Sequence, residues 1–151
     1  MANLKIVPYQ SIHGNQMIEY GMNDPLMDID ASYIKNYTDV VAPGLSFTLI
    51  NNDTPIVSGG IYPLWLGTAE GWVLSSKRIF DYKIKAASLI KRRLDMLCIN
   101  NNIWRLQTAV KANFKLGIRF AEWLGLQQEG LMKQYGPDGT DYYRMAKLYK
   151  L

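Results

Sequence analysis

The spacing of apolar side chains alternates along the chain between the two-residue rhythm of strands and the three-to-four-residue rhythm of helices, and the changes set the predicted element order. Residues 3–9 carry Leu4 and Ile6 in alternation and stop at Pro8, which predicts a short first strand. Two helices are expected over 11–22 and 30–41, the second opened by Asp30 or Ser32 and closed before Pro43 and Gly44. Strands over 45–50 and 55–62, joined by Asn51, Asn52 and Asp53, form a hairpin that Pro63 is expected to break. A short apolar strand spans 69–75. From about 80 to 100, Ile84, Ala87, Ile90, Leu94 and Leu97 recur at steps of three and four, the face of a helix that Asn100, Asn101 and Asn102 terminate. Residues 103–110 alternate as a strand, 114–124 return to helical period before Gly125, and 126–134 and 141–149 are two further strands around the turn Gly136-Pro137-Asp138-Gly139.

The order is β-α-α-β-β-β-α-β-α-β-β, an α/β (α+β) mixed sheet with helices on both faces. Neither a repeat nor a low-complexity linker divides the 151 residues, so 1–151 is expected to form one domain.

Composition narrows the function classes. At 48% hydrophobic and 20% charged residues the chain has enough apolar surface to offset ordering entropy, which excludes a disordered or collagen-like protein. It holds no apolar run of membrane-spanning length and no signal-peptide pattern at its start. One cysteine, Cys98, and one histidine, His13, cannot assemble a Cys/His zinc site or an internal disulfide. Cys98 is expected in the core of its helix, and Trp104, Phe114, Phe120 and Trp123 between helix and sheet.

The net charge of +4 hides a split. Before Lys77 two basic residues face seven acidic ones, giving −5; from Lys77 onward fifteen face six, giving +9. The second half should attract anions, most densely through Lys83, Lys85, Lys91, Arg92 and Arg93.

The run Gly117-Ile118-Arg119-Phe120-Ala121-Glu122-Trp123-Leu124-Gly125-Leu126, placed within this element order, is similar to the fourth helix and its exit in the GNAT fold of acetyl-CoA-dependent N-acetyltransferases. The wording from Gly71-Trp72-Val73-Leu74-Ser75-Ser76 to Tyr135-Gly136-Pro137-Asp138-Gly139, with Gly59-Gly60 upstream, resembles GNAT-like proteins encoded by tailed phages, and among them the small internal virion proteins of short-tailed phages.

The resemblance implies a site. Val73, Leu74 and Ser75 would offer main-chain groups to the pantetheine arm of acetyl-CoA, as an added strand would. Ser76, Lys77 and Arg78 occupy the place of the family's pyrophosphate loop but lack its glycines, so the two cations would have to replace backbone amides, while Asp81 is expected to cap the following helix. Glu70 is the candidate base. The family's proton-donating tyrosine falls at Ala121, leaving Tyr135 and Tyr142 as candidate acids, and Asn113 stands one residue before the family's cofactor-contacting asparagine.

Three functions follow. One is a phage GNAT-like protein with a degenerate acetyl-CoA site, serving as a virion-internal or assembly component in the host cytoplasm or packaged in the particle, with virion proteins or further copies of itself as partners. The second is an active N-acetyltransferase. The third is a polyanion or nucleic-acid binder acting through the basic helix.

Overall fold

The computed structural model describes residues 3–21 and 45–150. Seven strands form one mixed sheet: β1 (Leu4–Pro8), β2 (Leu45–Asn51), β3 (Thr54–Trp65), β4 (Thr68–Ser75), β5 (Arg105–Lys111), β6 (Gln127–Met132) and β7 (Tyr142–Leu148), in the spatial order β1-β2-β3-β4-β5-β7-β6. Every neighbouring pair is antiparallel except β4 and β5. Helix α1 (Ser11–Tyr20) covers one face, and α2 (Lys83–Asn100) and α3 (Lys115–Trp123) cover the other. This is the mixed architecture expected. The helix expected over 30–41 lies outside the described residues.

The core sits between the sheet and the α2–α3 layer. Phe47, Leu49, Val57, Ile61, Leu106 and Met145 point from the strands at Ile90, Leu94 and Leu124, all essentially buried. Partners that pair across a sheet share a face, so the register that puts Ala69 beside Leu106 sends Glu70, Trp72 and Leu74 to the opposite, α1 side.

The hairpin between β2 and β3 turns at Asn52 and Asp53, both at positive φ, as the Asn-Asn-Asp sequence led one to expect. Pro63 does not break β3. The strand runs on to Trp65 because a register shift between Pro63 and Trp65 absorbs the missing N–H. The long hairpin then turns at Gly67, whose φ of +82° suits glycine and whose missing side chain makes room for the Trp104 indole. Trp65 and Leu66, 67% and 82% exposed, project from this tip.

The helix expected from residue 80 begins later. Lys77–Asp81 form a 3-10 turn, and α2 starts at Lys83 with Tyr82 as its N-cap; Asp81 is exposed and does not cap it. The buried stripe is correspondingly Ala86, Ile90, Leu94 and Cys98, while Ile84 is 85% exposed. Cys98 is in the core, as expected, and burial pushes its thiol up to about 11. Trp104 and Trp123 are only partly covered and stand at the edges of the core, whereas Phe114 and Phe120 lie between α3 and the sheet beside an internal cavity.

A buried-edge network fastens the helix layer. Asp95 of α2 accepts hydrogen bonds from Lys147 Nζ (2.8 Å) and Tyr149 OH (2.6 Å), with Lys91 at 3.3 Å. Burial raises the Asp95 carboxyl, but the bonds from Lys147 and Tyr149 outweigh it and hold the group below the usual range. Lys147 Nζ also donates to the Leu124 carbonyl at the end of α3 (3.0 Å), so one lysine ties both helices to the last strand.

Candidate functional site

β4 and β5 are paired only through Thr68↔Arg105, Ala69↔Leu106 and Glu70↔Gln107, although β4 continues to Ser75 and β5 to Lys111. Above Glu70 the strands diverge. The Thr108 hydroxyl links the two strands across the opening, donating to the Gly71 carbonyl at 3.0 Å. That bond shows which way the edge faces. The Gly71 carbonyl points toward β5, so main-chain groups two residues apart, those of Val73 and Ser75, point the same way, while those of Leu74 face β3.

A cavity of about 910 Å³ fills the divergence and passes from the α2–α3 face to the α1 face. Ile79, Phe80 and Lys83 line its outer mouth beside Phe114 and Leu116, and Leu94, Leu106, Ala121, Leu124 and Leu126 line its floor. Glu70, Trp72, Tyr135 and Tyr142 line its other end. The indole N–H of Trp72 is buried and has no hydrogen-bond partner, a donor that an acceptor group in the cavity could satisfy.

Of the residues expected in the cradle, Val73, Leu74 and Ser75 all line the cavity, Val73 and Ser75 with main-chain groups turned toward β5. The loop residues go elsewhere. Ser76 is fully buried, with both its N–H (3.0 Å) and its hydroxyl (2.7 Å) donating to the Ile56 carbonyl of β3. The Lys77 N–H bonds to the Gly21 carbonyl beyond α1 (3.0 Å), and the Arg78 guanidinium stacks on the Tyr20 ring at 3.5 Å. The 3-10 turn causes this, because it rotates residues 76–78 toward α1 and β3 and brings Ile79, Phe80 and Lys83 to the mouth. Asn113 is exposed and does not line the cavity. The basic side chains that do line it are Lys83, which lies over the Phe80 ring at 5.3 Å, and Lys111, which pairs with Asp138 at 3.2 Å. Sequence reasoning counted Lys83 within a charged helix expected from about residue 80; its place as the first residue of α2 emerges only with the 3-10 turn that precedes it.

Glu70 stands where the strands part. Its carboxylate faces Arg144 Nη1 at 3.2 and 3.3 Å and accepts a longer bond of 3.4 Å from the Gln107 amide. Arg105, bonded to Gln107 and doubly to Glu129 (2.6 and 3.0 Å), continues this row of alternating charges across β5 and β6. The Tyr135 and Tyr142 rings lie beside it with centroids 5.3 Å apart and planes tilted by 59°, with Arg144 at 5.9 Å from the Tyr135 ring. The candidate base and both candidate acids therefore line the same end of the cavity. His13 does not join them. Its Nδ1 accepts from the Gln10 N–H at 3.1 Å and lies 2.9 Å from the Thr48 hydroxyl, which is itself bonded to Ser58; the Gln10 bond makes Nδ1 an acceptor, and burial holds the imidazole pKa below its usual value.

Among the expected polyanion contacts, Lys91 is engaged by Asp95, whereas Lys85 and Arg92 are exposed on α2. No helix of the described residues is long and apolar enough to cross a membrane.

Comparison with solved structures places this architecture. A GNAT-family acetyltransferase from Bacillus anthracis superposes with a TM-score of 0.73 at 17% identity over 98% of both chains. Ard1 from Thermoplasma volcanium gives 0.74 at 13% identity over 98% of this chain and 99% of that one. YncA from Salmonella typhimurium, a putative acetyltransferase solved with acetyl-CoA, gives 0.70 at 12% identity over 99% and 95%. The chain has the GNAT fold. No family model matches the sequence, and no curated protein matches it.

Proposed function

We propose that the chain binds a coenzyme A thioester between β4 and β5 and transfers its acyl group to an amine. The observation that carries this reading is the divergence above Glu70, where the Val73 and Ser75 edges border a cavity large enough for a cofactor arm. An amide-bearing arm is complementary to those edges, the unpartnered Trp72 N–H offers one more donor, and Lys83 supplies positive charge at the mouth. Acetyl-CoA is the donor that the acetyltransferase-like fold supports.

Transfer forms a C–N bond and breaks the thioester C–S bond. Glu70 takes the proton that the acceptor ammonium must lose, and Tyr135 or Tyr142 returns one to the departing thiolate, so the net reaction yields an amide and a free thiol. Arg144 and Gln107 hold the Glu70 carboxylate toward the opening. With Cys98 buried and its thiol pKa raised, no cysteine serves as nucleophile, and direct transfer follows.

A second reading has specific support. Ser76, Lys77 and Arg78 turn away from the mouth and Ala121 carries no hydroxyl, as a GNAT-like protein with a degenerate site would show. The exposed Trp65–Leu66 tip would then suit contact with other virion or assembly proteins, or with further copies of the chain, in a phage-encoded component of the host cytoplasm or the particle.

Melting the protein with increasing acetyl-CoA separates the two. A ligand that binds only the folded chain stabilises it by about 2.7 kcal/mol at a hundred times Kd. A concentration-dependent rise supports the first reading; an unchanged melting temperature at millimolar acetyl-CoA and at millimolar longer-chain acyl-CoA removes it and leaves the second.

A further inference from the structure

The cavity continues past the point at which the strands separate. Thr108, opposite Gly71, marks that point, and Leu106, two residues or about 7 Å back along β5, still lines the cavity from the α2–α3 side. On α2 the lining runs from Lys83 through Ala87 to Leu94, eleven residues or about 16 Å of helix. The Leu106 side chain reaches forward against Gly71, and the space runs from the mouth along α2 toward Leu94, behind the sheet and between the two helices.

The chemistry of its two ends differs. Lys83, Lys111 and the open strand edges lie around the mouth and the divergence, where a polar, amide-bearing arm finds partners. The floor below Thr108 is formed by Leu94, Leu106, Ala121, Leu124 and Leu126, each at least nine-tenths buried and none with a side-chain donor, acceptor or titratable group. An acetyl group has no atoms to reach that floor. A longer alkyl chain does, and water left there would find few polar partners.

We infer that this floor is an acyl-chain pocket, and that the preferred donor is a CoA thioester of a medium-length aliphatic acid, about four to six carbons, rather than acetyl-CoA. The inference rests on the donor-binding reading above and adds its acyl specificity. Ala121 sets the width: it lines the cavity from the last turn of α3 and contributes only a methyl group. Each additional methylene moved from water to such surroundings tightens binding, offset in part by the ordering of the chain.

Calorimetric titration of the full chain with free CoA, acetyl-CoA, butanoyl-CoA and hexanoyl-CoA tests it. The expected result is hexanoyl-CoA bound at least about tenfold more tightly than acetyl-CoA, with butanoyl-CoA between them. Ala121→Phe should erase that gain and leave the acetyl-CoA affinity within about twofold; Ala87→Leu, entering from the opposite helix, should do the same and serves if the first variant does not fold. Acetyl-CoA binding as tightly as hexanoyl-CoA, or a chain-length gain that survives both fillings, overturns the acyl pocket while leaving the donor site standing. If none of the four ligands binds, the donor-binding reading falls and the pocket with it.

Discussion

Gly67 closes the end of the β3–β4 hairpin against Trp104, and replacing it with alanine probes how the base of the cavity is held. Two costs are separable. At φ +82° any side chain strains the backbone, about 1 kcal/mol for alanine. The added Cβ would also land inside the Trp104 ring, so the indole must swing out. Full removal of a buried tryptophan costs about 3–5 kcal/mol; Trp104 is 37% exposed, and forfeiting roughly half of that contact gives about 2 kcal/mol. Gly67→Ala should therefore lose about 3 kcal/mol by urea denaturation at constant m-value. In a Trp104→Ala background the steric cost disappears and the same substitution should lose only about 1 kcal/mol. Equal losses in both backgrounds would refute the packing argument and leave backbone strain alone.

The other expectations follow from individual contacts. Glu70→Gln should lower amine acylation at neutral pH about 100-fold or more while donor affinity stays within about twofold, measured by steady-state kinetics and calorimetry; unchanged turnover would remove Glu70 as base. Ser76→Ala should destabilise the fold by about 1 kcal/mol, because its hydroxyl is spent on the Ile56 carbonyl, yet leave CoA affinity unaltered; lost CoA affinity without lost stability would return Ser76 to the binding loop. Lys83→Ala should weaken CoA binding and flatten its salt dependence while sparing an acylated pantetheine that lacks phosphates; equal loss for both ligands would contradict its place at the mouth. The His13 imidazole has a lowered folded-state pKa, so below the ordinary value of 6.5 the unfolded chain takes up the proton more readily and stability falls as pH drops through the folded value. That part of the acid loss should vanish in His13→Gln, followed by denaturation between pH 7 and 5.

Much of the architecture was readable because the rhythm of apolar residues and the turn chemistry agreed, as at Asn52 and Asp53, at Gly125 and around residues 69–75. The strand carrying Glu70, Val73 and Ser75 was placed correctly for that reason, and the resemblance of residues 117–126 fixed what surrounds it. The detail at the mouth was not readable. Whether Ser76, Lys77 and Arg78 face the cavity depends on a five-residue 3-10 turn, which has no periodicity long enough to register in a sequence and changes side-chain direction by a fraction of a turn. Pro63 misled for a related reason: its missing N–H forbids a regular ladder but not a strand with a bulge, and only the pairing partner shows which applies. The seat of the Trp104 indole is made by a glycine 37 residues earlier in the chain, a long-range relation that local pattern does not carry.

The few rungs between β4 and β5 make the sheet a book with two covers, β1–β4 on one side and β5–β7 on the other, bound by a short spine at the hairpin end. Each cover is internally stitched by long antiparallel ladders, and the shared helix layer packs across both. A guest inserted along the free margins would supply rungs the polypeptide itself omits, between two leaves already held at a set distance by the helices behind them.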